Sequence, residues 1–159
     1  MDAARRSDVQ GGALQGGALQ GGGGPDSDGQ TVELRADGDV VRARHLVRDL
    51  AVRLDFDLVT QTKLVTAASE LARNTVLHGG GGQLRLEQVQ EAGRTGVRMT
   101  FSDTGPGIAQ VDQALTEGWS SGGGMGLGLT GSRRLVHEFS IDSTREVGTT
   151  VTAVVWRRG

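Results

Sequence analysis

The pattern of this chain changes abruptly at Thr31. Residues 1–30 repeat GGALQ twice and continue as GGGGPDSDGQ, with almost no large apolar side chain to offset the entropy lost on ordering. From Thr31 onward, apolar side chains recur with the periods of strands and helices. The sequence therefore predicts a disordered glycine-rich tail over residues 1–30 and one folded domain over residues 31–159.

The periodic part of the chain predicts both strands and helices. Period-two alternation over residues 31–36 is typical of a half-buried strand. Helical spacing follows, first in a helix capped by Asp39 and then in a helix over residues 58–78, between Asp57 and four glycines. The remaining pattern predicts strands at 83–89, 96–103, 140–145 and 149–156, a short helix at 109–117 and a helix at 128–139.

These elements indicate the fold class. Neighbouring strands joined by short turns pair in antiparallel fashion, and helices must cover an apolar sheet face. The predicted class is α+β: a two-layer sandwich with a mixed, mainly antiparallel sheet and helices on one face.

Charge and composition exclude several functions. The chain has 17 basic and 19 acidic residues, and the tail holds two arginines and four aspartates, so the predicted domain is neutral. A neutral domain argues against a nucleic-acid partner bound through phosphate neutralisation. The absence of cysteine excludes disulfides, thiolate catalysis and cysteine-based zinc sites.

Two further absences narrow the expectations. Lys63 is the sole lysine of the chain and is far from the glycine-rich segments, so a P-loop ending in Gly-Lys-Ser/Thr is excluded. The first residues have no apolar signal-peptide core, and no apolar run approaches the length of a membrane span. We therefore expect a soluble, cytoplasmic protein with no membrane partner.

The first candidate constellation lies near the end of the second helix. Glu70, Asn74 and His78 are spaced four apart, so they project from one helix face beside the apolar stripe. A carboxylate and an amide at the margin of a core require partners. Solvation or capping by neighbouring groups is the simpler alternative for this constellation.

The second constellation is the loop DTGPGI after a strand. Asp103 emerges at the end of the sheet, while Gly105 and Gly107 permit unusual backbone angles and leave room for a flat ligand. A tight surface turn is the alternative, although the loop is longer than a turn requires.

Two later segments complete the pattern. GGGMGLGL precedes a helix directly, so its backbone N–H groups could meet an anion, although a flexible connector is an equal alternative. In GTTVTA, Thr149 and Thr150 begin the last predicted strand, where threonine is usually only a good strand former.

Taken in order, these four segments resemble the N, G1, G2 and T boxes of the GHKL ATPase superfamily, which includes gyrase, Hsp90, histidine kinases and the MutL family. The resemblance covers roughly residues 31–158 and implies the Bergerat, histidine-kinase-like ATPase fold. The stretches LVTQTKLVTAASELARN, EGWSSGGGMGLGL and RRLVHEF are most similar to the anti-sigma-factor serine kinases, in particular the stressosome switch kinases.

The resemblance implies a role for each motif, with ATP and Mg²⁺ as cofactors. Glu70 would be the general base, and Asn74 would hold Mg²⁺ through its side-chain oxygen. Asp103 would accept a hydrogen bond from the adenine amino group. The remaining nucleotide-binding positions would be His78, Gly105 and Gly107, the lid residues Gly124, Gly126, Leu127 and Gly128, and the pair Thr149 and Thr150.

The chain also departs from its relatives. No arginine precedes the lid glycines, and Leu77 stands where many histidine kinases carry a lysine. The cation that would meet the γ-phosphate is therefore unassigned, with Arg73, Arg133 and Arg134 as candidates. Neither His45 nor His137 is followed by the motif of a phosphoacceptor histidine, and His137 is expected to be an ordinary helix residue.

The resemblance implies a stand-alone serine/threonine kinase of a partner-switching pathway. Its substrate would be a STAS-domain antagonist, and the released kinase would activate a PP2C-type phosphatase. Two alternatives remain open: an anti-sigma factor that sequesters a sigma factor, and an ATP-dependent binding switch with vestigial catalysis.

Overall fold

The computed structural model describes residues 29–105, 128–144 and 147–158. Most of the predicted tail and all of the short helix predicted at 109–117 lie outside these ranges. The described residues form, in chain order, β1 (Gln30–Leu34), α1 (Asp37–Arg53), α2 (Leu58–Leu77), β2 (Gly82–Glu91), β3 (Arg94–Asp103), α3 (Gly128–Leu135), β4 (Glu138–Thr144) and β5 (Gly148–Trp156).

The strands form a single sheet in the order β1-β2-β3-β5-β4. Each of the four pairings between the described strands is antiparallel. β3 and β4 run in the same direction, but β5 lies between them and runs the opposite way, so the two never meet in parallel. The α+β class is confirmed, whereas the parallel component expected of a mixed sheet is absent from the described strands.

The three helices cover one face of this sheet. Val32, Leu84, Phe101 and Val151 are register partners in one row across four strands, and none is more than 6% exposed. Helix α2 contacts both α1 and α3. Small side chains alternate with leucines on its buried side, which lets the neighbouring helices approach closely: Leu64, Ala67, Ala68, Leu71 and Ala72.

The start of α1 differs from the prediction. The helix begins at Asp37, and Asp39 lies in its first turn instead of preceding it. The Oδ2 atom of Asp39 accepts hydrogen bonds from the backbone N–H groups of Arg35 at 2.8 Å and Ala36 at 3.1 Å. These bonds stabilise the ionised carboxylate and so lower the pKa of Asp39. Asp39 thus stabilises the helix start by reaching back to it.

Helix α2 has the predicted ends. Asp57 caps its N-terminus by accepting a hydrogen bond from Thr60 N at 2.7 Å, which lowers the pKa of this aspartate. His78 is the C-cap. Gly80 and Gly81 follow with φ angles of 73° and 104°, a region that residues with a side chain rarely adopt. The four-glycine run therefore turns the chain from α2 into β2.

Helix α3 is shorter than the helix predicted over residues 128–139, and this changes the environment of His137. Helix α3 ends at Leu135, and the chain joins the sheet at once. The N–H of His137 donates to Val154 O at 2.9 Å, and its Nδ1 accepts from Trp156 N at 2.8 Å. The expectation of an ordinary helix residue was wrong, because pairing with β5 outweighs the helical spacing of this segment.

Candidate functional site

Glu70 projects from α2 near its C-terminal end. Its side chain is 16% exposed, and its Oε2 lies 3.1 Å from Nη1 of Arg73, one helical turn further along. The arginine itself is 46% exposed. The pair therefore sits at the rim of the helix layer, with the carboxylate turned inward and the guanidinium turned toward solvent.

Asn74 lies one turn after Glu70 and is half-buried. Its backbone oxygen accepts hydrogen bonds from His78 N at 2.9 Å and Gly79 N at 3.3 Å, which ends the helix. Its carboxamide makes no hydrogen bond to any residue within the described ranges. His78 is exposed. Of the three predicted residues, Glu70 and Asn74 thus face the interior margin, whereas His78 lies at the helix end.

Asp103 is the last residue of the central strand β3, and the C-terminal end of α2 lies at the same end of the sheet. Its Oδ1 accepts a hydrogen bond from Gly105 N at 2.9 Å and a second, longer one from Thr149 N at 3.3 Å. Both donors are backbone groups, so they hold the half-buried carboxylate in a fixed orientation. Oδ2 receives no hydrogen bond from the described residues.

Three glycines from separate segments pack around Asp103. A methyl group at Gly79 would overlap the carboxylate, and a methyl group at Gly105 would overlap the backbone of Gly79. Gly148 has a φ of 110°, and a side chain there would overlap the carbonyl of Asp103. The end of α2, the loop after β3 and the start of β5 therefore meet at a corner that only glycine fits.

Sequence reasoning singled out Gly105 but missed Gly79 and Gly148 as parts of this corner. Both carried a signal. Gly79 opens the four-glycine run after His78, and Gly148 directly precedes the two threonines.

The two threonines of the last motif lie on opposite faces of the sheet. Thr150 is the register partner of Ser102, so Thr149 falls beside Asp103 on the helix-covered face and Thr150 points to the other face. The backbone N–H of Thr149 donates to Asp103, as described above. Its Oγ1 lies 2.8 Å from Oγ of Ser143 on β4. Thr149 is therefore the threonine that this structure brings to the corner.

Four predicted nucleotide-binding residues lie outside the described residues: Gly107, Gly124, Gly126 and Leu127. Gly128 is described as the first residue of α3, with a φ of 66°. Arg133 and Arg134 lie in the last turn of the same helix and are exposed. They are about 8 Å along the helix axis from its N-terminal end.

The described residues hold no cage of metal ligands. No group of three or more histidine, cysteine, aspartate or glutamate side chains in the described ranges could bind a metal ion. The half-buried carboxamide of Asn74 nevertheless offers an oxygen of the kind that Mg²⁺ accepts. A magnesium ion would fit here only when it is bound to a small molecule that supplies most of the coordinating oxygens.

None of the helices in the described ranges has the length and hydropathy to cross a bilayer.

Comparison with known proteins adds independent findings. The family described as histidine kinase-, DNA gyrase B- and HSP90-like ATPase matches residues 59–158. The serine/threonine-protein kinase RsbT of Bacillus subtilis (strain 168) is 41% identical over 132 residues, which are 83% of this chain and 99% of that protein.

Solved structures support the same fold. One is the crystal structure of the RsbU and RsbW domains of Rv1364c from Mycobacterium tuberculosis, with a TM-score of 0.56 and 20% identity. The match covers 82% of this chain but only 33% of the solved chain. The mycobacterial sensor histidine kinase MprB has a TM-score of 0.50 at 21% identity, covering 82% of this chain and 98% of that one.

Proposed function

This chain belongs to the histidine kinase-, DNA gyrase B- and HSP90-like ATPase family, and on that premise we propose that it is an ATP-dependent protein serine/threonine kinase of a partner-switching pathway. The family expected from the four sequence motifs is thereby confirmed. The kinase assignment is supported by the high identity to RsbT along nearly the whole length of that relative.

One structural observation carries the proposal. The end of α2, which bears Glu70 and Asn74, packs through Gly79 directly against the carboxylate of Asp103. The helix that carries a carboxylate and an amide therefore ends against a second carboxylate from a distant segment of the chain, and the amide makes no hydrogen bond within the described residues. This arrangement suits a ligand with a base at one end and phosphates at the other.

Asp103 would select the base. The two backbone donors occupy Oδ1, which leaves Oδ2 to accept a hydrogen bond from the amino group of adenine. Guanine places an oxygen at that position, and two facing acceptors would leave the carboxylate unpaired. Gly105 and Gly107 would let the backbone approach the purine.

The phosphate end would involve the remaining motif residues. Asn74 would hold Mg²⁺ through its side-chain oxygen, and the ion, when bound, would neutralise charge on the phosphates. Gly124, Gly126, Leu127 and Gly128 would cover them. His78, exposed at the end of α2, would approach the nucleotide from the rim.

Glu70 would act as the general base. The substrate hydroxyl oxygen attacks the γ-phosphorus, its proton passes to Glu70, and the bond to the β,γ-bridging oxygen breaks to release ADP. Arg73 donates a hydrogen bond to Oε2 of Glu70, so Oε1 would be the atom that accepts the proton.

The protein substrate and the downstream target belong to the same proposal. We propose a STAS-domain antagonist as the phosphate acceptor and a PP2C-type phosphatase as the protein that the released kinase activates. The motif resemblance and the identity to RsbT support this pathway. A sigma factor is the competing partner.

The test is phosphotransfer from radiolabelled ATP to a purified STAS-domain protein encoded near this gene. We expect Glu70→Gln to reduce the rate by about 10²- to 10⁴-fold while leaving ATP affinity within about threefold. Glu33→Gln, which alters an exposed carboxylate on β1, is the matched control and should retain the wild-type rate.

Other outcomes distinguish the alternatives. A wild-type protein that binds ATP but phosphorylates no STAS protein would show that catalysis is vestigial. Stable co-purification with a sigma factor, in place of a phosphatase, would identify an anti-sigma factor.

A further inference from the structure

Ser143 lies beside the site but belongs to none of its four motifs. It is the register partner of Thr149 across the β4–β5 pair, and the two side-chain oxygens are 2.8 Å apart. Ser143 shares the helix-covered face with Ile141, two residues earlier on the same strand. Both residues are half-buried.

This hydrogen bond is the first link of a chain that reaches Asp103. Thr149 is bonded to Ser143 through its hydroxyl and to Asp103 Oδ1 through its backbone N–H. The edge strand β4 is thereby connected, through β5, to the carboxylate at the end of β3. Rotating the Thr149 side chain about χ1 would break the bond to Ser143.

A pair of hydroxyls has two protons but needs only one for the bond between them. Either hydroxyl could donate, and if Ser143 donates to Thr149 Oγ1, the proton of Thr149 is available for a second hydrogen bond at the corner beside Asp103. The corner then offers an acceptor and a donor side by side. Adenine presents the complement, an amino donor beside the N1 acceptor, whereas guanine presents an oxygen acceptor beside an N1–H donor.

We propose that Ser143 is a positioning residue for purine selection, which holds Thr149 as a hydrogen-bond donor next to Asp103 so that the corner matches adenine and rejects guanine. The inference rests on the proposed ATP-binding function. It assigns to the edge strand β4 a part in nucleotide choice that no motif indicated. In this role Ser143 acts through Thr149 and does not contact the ligand.

The test compares the binding of MgATP and MgGTP to the full-length chain by titration calorimetry. Ser143→Ala should weaken MgATP about three- to tenfold, the usual effect of one hydrogen bond, and leave MgGTP unchanged. The ratio of the two affinities is the diagnostic quantity, because general damage to the fold would weaken both nucleotides equally. Ser143→Thr keeps the hydroxyl and should restore the ratio.

Ser140→Ala is the matched control. Ser140 lies on the same strand but is exposed and points to the opposite face, so this variant should bind both nucleotides like wild type. Thr149→Val provides a second route: once the threonine hydroxyl is gone, adding Ser143→Ala should cause no further loss of MgATP affinity.

The outcomes are distinct. If Ser143→Ala leaves the ratio of the MgATP and MgGTP affinities unchanged, the role of Ser143 is overturned. Additive losses of MgATP affinity in the double variant would overturn it as well. Failure of wild type to bind MgATP would instead contradict the proposed function itself.

Discussion

Gly79 shows how one residue without a side chain can determine the shape of this site. Its Cα lies against the Asp103 carboxylate, so the distance between α2 and β3 is set by the absence of a Cβ. Gly79 does not have a positive φ, so alanine could adopt its backbone conformation. Substitution there therefore tests packing against Asp103 and not backbone strain.

We predict that Gly79→Ala weakens MgATP binding at least about tenfold and lowers the free energy of unfolding by about 1–3 kcal/mol, the usual range for overpacking. The methyl group would displace the Asp103 carboxylate from its two backbone donors. Calorimetry and urea denaturation provide the measurements.

Gly38→Ala is the control for this prediction. Gly38 lies in the first turn of α1 with open space around it, so alanine should stabilise the protein by about 0.5–1 kcal/mol and leave ATP affinity unchanged. Wild-type ATP affinity in Gly79→Ala would contradict the packing argument.

At the scale of elements, the strand pair β2–β3 carries an ion-pair network on the open face of the sheet. Glu87 lies 3.0 Å from Arg98 and 3.4 Å from Arg85. Partial burial raises the pKa of Glu87, but the hydrogen bond and charge of Arg98, together with Arg85, outweigh that effect, so its pKa is below the ordinary value of 4.5.

This network predicts a pH-dependent contribution to stability. Because the pKa of Glu87 is lower in the folded than in the unfolded protein, its stabilisation is fully present above about pH 4.5 and is lost as the pH falls through the folded-state pKa. Glu87→Gln should therefore unfold more easily than wild type in urea at pH 6, by under about 1 kcal/mol, because both arginines of the network are exposed to solvent.

The difference between Glu87→Gln and wild type should vanish once the pH lies well below the lowered folded-state pKa of Glu87, where the carboxylate is neutral in both states. A difference that is constant between pH 3 and pH 6 would show that the glutamate acts through packing instead of charge.

At the scale of the whole molecule, the folded unit is defined by burial on one face of the sheet. The relative RsbT is matched over 99% of its length by 132 residues of this chain, so a domain of that length suffices for the family fold. β1 is part of the unit, because Val32 and Leu34 are at most 2% exposed. The N-terminal limit of the domain should lie just before this strand.

We predict that deleting residues 1–28 leaves the melting temperature within about 2 °C of wild type and the ATP affinity unchanged. Deleting residues 1–34 removes two fully buried side chains and should lower the melting temperature by more than about 5 °C. Scanning calorimetry with and without MgATP checks both. A large loss of stability in the shorter deletion would place part of the tail in the fold.

Much of the fold was predictable from the sequence because the signals are local. The cap at Asp57, the glycines that end α2 and the alternation in the strands each act within a few residues. Likewise, Glu70 and Asn74 share a face wherever the helix packs. The errors arose where local and distant preferences compete. Helical spacing continued to Phe139, but pairing with β5 ends α3 at Leu135.

The tertiary structure decided which side chains from distant segments of the chain come into contact. Inserting β5 between β3 and β4 places Thr149, and not Thr150, beside Asp103, because one step along a strand reverses the face. The same register brings Ser143 onto Thr149, and the packing of α2 on the sheet brings Gly79 onto Asp103. The sequence by itself determined the elements, their order and the chemical groups they carry. Which groups meet depended on strand order and register, since these bring together residues that no local pattern relates.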